Sequence, residues 1–162
     1  MSSRNHFLKS LCFSAGMIGA GLLLFPTLPR AETSVPWSSE GFAIERPLGE
    51  LRGDAERGRM IVIDRSKGNC LACHRMPIPE EEFHGTVGPS LIGVASRLNE
   101  GQLRLRVVDE KQLNPSTIMP GYYRDPDLFN QVLEAYAGRT VLSAQEVEDV
   151  VAYLLTLKGS GK

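Results

Sequence analysis

The clearest order in the chain lies near its C-terminal end. In "LSAQEVEDVVAYLLTLK", residues 142–158, Val147, Val150, Val151, Leu154 and Leu155 recur at i, i+3, i+4, i+7 and i+8. That spacing places five apolar side chains on one stripe of a helix. Ser143 with Glu146 three residues later forms a capping box that starts it, and Lys158 and Gly159 end it. Three further helices are predicted. Asp54 caps "AERGRMIVIDRSKG", whose acid comes early and whose bases come late, as the helix dipole favours. A short helix over Glu100–Asp109 turns Leu103 and Val107 inward, with Leu113 just beyond it. In "DPDLFNQVLEAYAG", Asp125 is the cap, Pro126 takes the first helical position, Leu128, Val132 and Tyr136 share a stripe, and Gly138 is the stop. No stretch alternates convincingly as a strand does, so the fold class is all-α, in a single domain. Residues 32–53, with Pro36, Gly41, Pro47, Gly49 and Gly53, read as an irregular N-terminal arm, and the packed domain is expected over 54–162.

The N-terminus changes this picture. Arg4 and Lys9 precede the apolar run "LCFSAGMIGAGLLLF", residues 11–25, and Pro26 and Pro29 break it before Ala31. This is the layout of a secretory signal over residues 1–31, which places the mature protein in the periplasm. The run is short of the about 20 residues a membrane span needs, and its glycines weaken it as an anchor, so no membrane is expected for the mature form. Losing Arg4, Lys9 and Arg30 with no acid reduces the basic residues from 18 to 15 against 19 acidic, a formal charge of −4. Such a balance argues against nucleic acid as a partner. Cys12 leaves with the signal, and Cys70 and Cys73 are too few for a disulfide scaffold.

Those two cysteines sit in "GNCLACHRM", residues 68–76, as Cys-x-x-Cys followed by His74. Zinc, a redox thiol pair and a heme attached through two thioethers are the chemical options. Structural zinc takes four ligands, and the mature chain adds only His84 as a further histidine. A thioredoxin-like pair belongs in a βαβ unit, which the helical pattern does not offer. Export and helical context agree with one covalently bound heme c, its thioethers at Cys70 and Cys73 and its iron on His74. Covalent attachment also keeps the cofactor from escaping outside the cytoplasm.

The opposite face of the iron needs a second ligand. Met76 is too close to His74 to cross the ring, Met60 lies in "MIVI" and reads as core filler, and His84 in "EEEFHGTVGP" reads as a solvated loop histidine. Met119 lies in "NPSTIMPGYY", where two prolines and a glycine set an irregular loop long enough to wrap a porphyrin. Met119 is therefore the expected partner of His74 as a metal ligand, within an apolar pocket expected to include Leu91, Ile92 and Ile118. A thioether opposite imidazole favours reduced iron.

The phrases "GDAERGR", "GNCLACH", "GTVGPSLIGVASRL", "QLRLRVVD", "NPSTIMPGYY" and "LSAQEVEDVVAYLLTLK" together resemble SoxX, the monoheme subunit of the SoxAX cytochrome of bacterial sulfur oxidation, over nearly all the chain beyond residue 50. "CxxCH" alone says only c-type cytochrome, and "GPSL" with a methionine–proline loop says only the class I cytochrome c fold. The resemblance implies that the Pro89 carbonyl orients the His74 ring, and that a SoxA-like cytochrome is the partner. It also implies electron handling while thiosulfate is coupled to a cysteine of a sulfur-carrier protein. No triad-like set of side chains offers a catalytic site of its own. A free periplasmic electron carrier is the alternative; the arm, with Trp37 and Phe42 available to lie across a partner, weighs toward a subunit.

Overall fold

The computed structural model describes residues 34–128 and 137–159. Among the described residues, three α-helices carry the structure: α1 (Ala55–Ile63), α2 (Glu100–Asp109) and α3 (Ala144–Thr156). Short 3-10 turns at Leu48–Glu50, Cys70–Ala72, Val94–Ser96, Glu110–Gln112 and Pro126–Leu128 punctuate the loops. Among the described residues the only extended pairing recorded is the isolated bridge between Glu40 and Ala43. The signal segment predicted over residues 1–31 lies outside the described residues, as do 129–136, which hold Val132 and Tyr136 of the helix predicted over 125–138.

α1 and α3 start where their caps predict. Asp54 accepts from the Arg57 N–H at 2.9 Å, and Ser143 and Glu146 bond reciprocally at the head of α3. Asn99 and Gln102 form a second capping box on α2 that sequence reading did not single out. α1 and α3 cross at close range because α1 carries glycine at the contact. A Cβ on Gly58 would lie 1.9 Å from the Asp149 carbonyl oxygen, and one on Gly53 would lie 2.1 Å from that of Glu148. Both distances are far inside van der Waals contact, so only glycine permits the crossing. Val147, Val150, Val151 and Leu154 of α3 are buried as predicted, together with Leu103 and Val107 of α2 and Ile61 and Val62 of α1.

Three expectations change. The helix predicted through residues 55–68 ends at Ile63, so Arg65 and Lys67 lie beyond it. Met60, read as core filler, is 64% exposed: the helical turn that buries Ile61 and Val62 directs their predecessor outward. The core also begins before Asp54, since Ala43, Ile44 and Leu48 of the arm are buried. Part of the arm's hydrogen bonding goes to the helices, beginning with the Ile44 N–H, which donates to the Gly101 carbonyl of α2 at 3.0 Å. Arg104, wholly buried on α2, forms a forked ion pair with Glu148 of α3, with Nε at 2.8 Å from Oε1 and Nη2 at 3.0 Å from Oε2. Its Nη1 donates to the Ile44 carbonyl at 2.7 Å, and Glu148 accepts from the Leu48 N–H at 2.9 Å. Arg104 also pairs with Glu100. Removing one partner from such a buried pair strands a charge and costs about 3–5 kcal/mol.

Candidate cofactor site

The end of α1 dictates the path into the cysteine motif. The Gly68 N–H donates to the Ile61 carbonyl at 3.2 Å, and a Cβ on Gly68 would stand 2.7 Å from that oxygen. Asn69 then turns left-handed (φ 46°, ψ 35°), a conformation asparagine tolerates better than most residues, and its N–H bonds the Asp64 carbonyl at 2.9 Å. From there Cys70–His74 wind into one tight turn, with the Cys73 and His74 N–H groups both donating to the Cys70 carbonyl at 3.2 and 2.9 Å. "GN" before the first cysteine is thus the backbone device that aims the turn.

The segment 85–91 laces against this turn. Gly85, Gly88 and Leu91 donate to the Leu71, Cys73 and Arg75 carbonyls at 2.7, 2.9 and 2.9 Å. A Cβ on Gly85 would lie 2.0 Å from the Ala72 carbonyl oxygen, and one on Gly88 would lie 2.4 Å from His74 Cε1. The imidazole therefore lies flat against Gly88. Its Nδ1 is 2.7 Å from the Pro89 carbonyl oxygen. A carbonyl only accepts, so Nδ1 carries a proton, and in the tautomer this favours Nε2 is the atom left to act as a ligand.

Cys70, Cys73, His74 and Met119 all line one cavity of about 610 Å³, within the about 300–1,000 Å³ typical of cofactor and ligand sites. Its walls are largely apolar, built from Leu91, Val94, Leu98, Leu103, Val107 and Leu154 among others. Ile118 also lines it, from the rim, being 79% exposed; Ile92, expected here, is not part of the lining. Both thiols are free, and burial pushes that of Cys70 up to about 12. Met119 sits in a stitched loop. Lys111 Nζ donates to the Thr117 carbonyl at 2.8 Å, the Met119 N–H donates to Thr117 Oγ1 at 3.1 Å, and the Thr117 N–H donates to the Asn114 carbonyl at 3.0 Å.

Among the described residues, no three His, Cys, Asp or Glu side chains converge closely enough to hold a metal ion by themselves. The thiols and the imidazole are splayed along a turn around a large apolar space. That suits a flat macrocycle held at its edge and disfavours a compact zinc site.

His84 does not line the cavity. Its Nδ1 accepts from the Met76 N–H at 3.0 Å, and Nε2 faces the Ile78 and Glu81 carbonyls at 3.2 and 3.1 Å. The expected solvated histidine is a half-buried loop clamp with both nitrogens engaged. Met76 is buried and shares the cavity wall. Sequence reading missed Arg97 and Arg106, the two cations that line the cavity. Arg97 is held by the Ile92 and Ser90 carbonyls, both at 3.0 Å. Arg106 stands 3.8 Å from Glu110, whose carboxyl is pushed up by burial and by the neighbouring Asp109 despite Arg106. A basic residue facing an apolar pocket has no signature in the sequence apart from the turn it shares with "VASR".

The cytochrome c family model matches residues 55–158, which contain all of these groups. The chain belongs to the cytochrome c family. It is similar to a chain in the crystal structure of SoxXA from P. pantotrophus, with 36% identity and a TM-score of 0.71 over 80% of this chain and 100% of that one. No curated protein matches the chain. Within the family the cytochrome is of the SoxX type, with the helical class I architecture and electron transport in sulfur oxidation as its function. The family's cofactor is heme c, and the residues present fit it: two thiols on one turn, an imidazole with Nε2 left to act as a ligand, a thioether on a loop, apolar walls and two arginines to meet its carboxylates.

Proposed function

We propose that this chain carries one covalently bound heme c and serves as the electron-handling subunit of a two-cytochrome complex. The observation that carries the reading is the convergence of Cys70, Cys73, His74 and Met119 on one apolar cavity. Cys70 and Cys73 would form the thioethers, and His74 Nε2 and Met119 Sδ would hold the iron. The Pro89 carbonyl fixes the imidazole tautomer and raises its basicity. Arg97 and Arg106, which line the same cavity, would meet the carboxylates. The heme supplies a one-electron site, and a neutral thioether in a dry pocket biases it toward the reduced state. With His74 and Met119 holding the iron and Cys70 and Cys73 holding the macrocycle edge, the described residues would leave no cysteine thiol for a sulfur substrate.

The likeness to SoxXA supports a SoxA-like partner cytochrome. Joining thiosulfate to a carrier-protein cysteine forms a sulfur–sulfur bond and releases the thiol proton and two electrons. The partner performs that chemistry, and this subunit takes the electrons singly. Export to the periplasm through residues 1–31 brings the chain to that partner and to the sulfur-carrier protein.

The test purifies the full chain from the periplasm. Heme that stays on the polypeptide through acid–acetone treatment, at one iron per chain, is the expected result; extracted pigment or bound zinc overturns the assignment. Met119→Ala should lose the sulfur-to-iron absorption band and lower the reduction potential. Thiosulfate with the carrier protein should reduce the heme only when the partner is present. Equal reduction without it would favour a free carrier.

A further inference from the structure

Two adjacent tyrosines leave the Met119 loop and reach different parts of the molecule. Their backbone N–H groups donate to the Val107 and Val108 carbonyls at 3.2 and 3.1 Å, which pins the exit of the loop to the end of α2. Their hydroxyls then diverge. That of Tyr123 accepts from the Val35 N–H of the arm at 2.6 Å, whereas that of Tyr122 donates to the Gly68 carbonyl at 2.7 Å. Gly68 lies at the head of the turn that carries Cys70 and His74, and the Tyr122 hydroxyl also lies against the Cys70 thiol. Tyr122 is buried and lines the cavity.

This arrangement joins two pieces that have to keep a fixed separation. Cys70, Cys73 and His74 ride on one short turn, while Met119 arrives on a separate loop that the cysteines do not tether. A thioether is a weak ligand, so a loop free to drift would let it leave the iron. We propose that Tyr122 is a positioning residue. Its hydroxyl bond to Gly68 clamps the Met119 loop to the heme-attachment turn and keeps the sulfur in place against competing ligands. This rests on the reading of Met119 as the axial ligand.

The experiment compares Tyr122→Phe with Tyr123→Phe in the heme-loaded full chain. Each change deletes one hydroxyl from the same loop and keeps the ring, but only the first cuts the tie to Gly68. Imidazole is titrated into the oxidised protein while the sulfur-to-iron band is followed, and thermal stability is measured in parallel. A net hydrogen bond of ordinary strength corresponds to about fivefold in an equilibrium constant, so Tyr122→Phe should bind imidazole about fivefold more tightly than the unmutated protein. Tyr123→Phe should leave that affinity unchanged even where it lowers stability. Equal shifts in both variants, or an unshifted affinity in Tyr122→Phe with the band present, overturn the clamp alone. Lack of the band in the unmutated protein overturns both the clamp and the ligand reading beneath it.

Discussion

Gly88→Ala tests the site at its tightest point. The added Cβ would lie 2.4 Å from His74 Cε1, 2.6 Å from Nδ1 and 2.8 Å from Nε2. Carbon atoms settle at about 3.5 Å or more, so the ring or the backbone has to move by about 1 Å. The backbone is held, since the Gly88 N–H donates to the Cys73 carbonyl at 2.9 Å. The ring therefore takes most of the displacement. Its Nδ1 is now 2.7 Å from the Pro89 carbonyl oxygen, and a shift of that size carries the contact beyond hydrogen-bond range. Losing the bond forfeits about 1 kcal/mol and releases the tautomer that presents Nε2. A less basic imidazole donates less to ferric iron, so the reduction potential should rise while the heme stays attached through Cys70 and Cys73. Potentiometry gives the first readout, and proton NMR of the oxidised protein gives the ring orientation. An unchanged potential with unchanged His74 resonances would show that the backbone yields instead, and the account of Gly88 as the ring's platform would fail.

Met60→Ala should alter the urea midpoint little, within about 0.5 kcal/mol, because the side chain is 64% exposed; a loss of several kcal/mol would contradict its outward orientation. Acid should unfold the protein partly through Asp149. Burial alone would raise its pKa, but Arg57, the Asp54 N–H and Gln145 lower it below the usual range. A carboxylate depressed in the folded state contributes stability that is present above its unfolded pKa of about 3.9 and is lost as pH falls through the folded value. Glu146, held down against burial by Lys67 and Ser143, adds to the same limb. Denaturation series from pH 6 to pH 2 should therefore show a flatter acid limb in Asp149→Asn, and a limb as steep as in the unmutated protein would remove Asp149 from the explanation.

The sequence by itself determined the parts that depend on neighbours in the chain. Caps at Asp54 and Ser143, the stripe on α3 and the bounds Glu100–Asp109 of α2 are local features, set within three or four residues by backbone hydrogen bonding and helical periodicity. The turn that carries Cys70, Cys73 and His74 is local in the same sense. Tertiary structure decided what depends on which surfaces meet. Met60 and Ile61 are equally apolar in sequence, yet the crossing of α1 with α3 buries only the second. Glu148 and Asp149, charges on a helix, are buried because Arg104 and Arg57 reach them from α2 and α1. His84 became a clamp because a loop folded its own carbonyls and the Met76 N–H around it. Arg97 and Arg106 pair with near neighbours in the chain, yet the cavity they line is closed by distant segments, and Tyr122 enters it by reaching back to Gly68; neither placement carries a signature along the chain. Packing against a distant residue is a property of the whole fold, because burial and pairing are shared between segments that the sequence keeps apart.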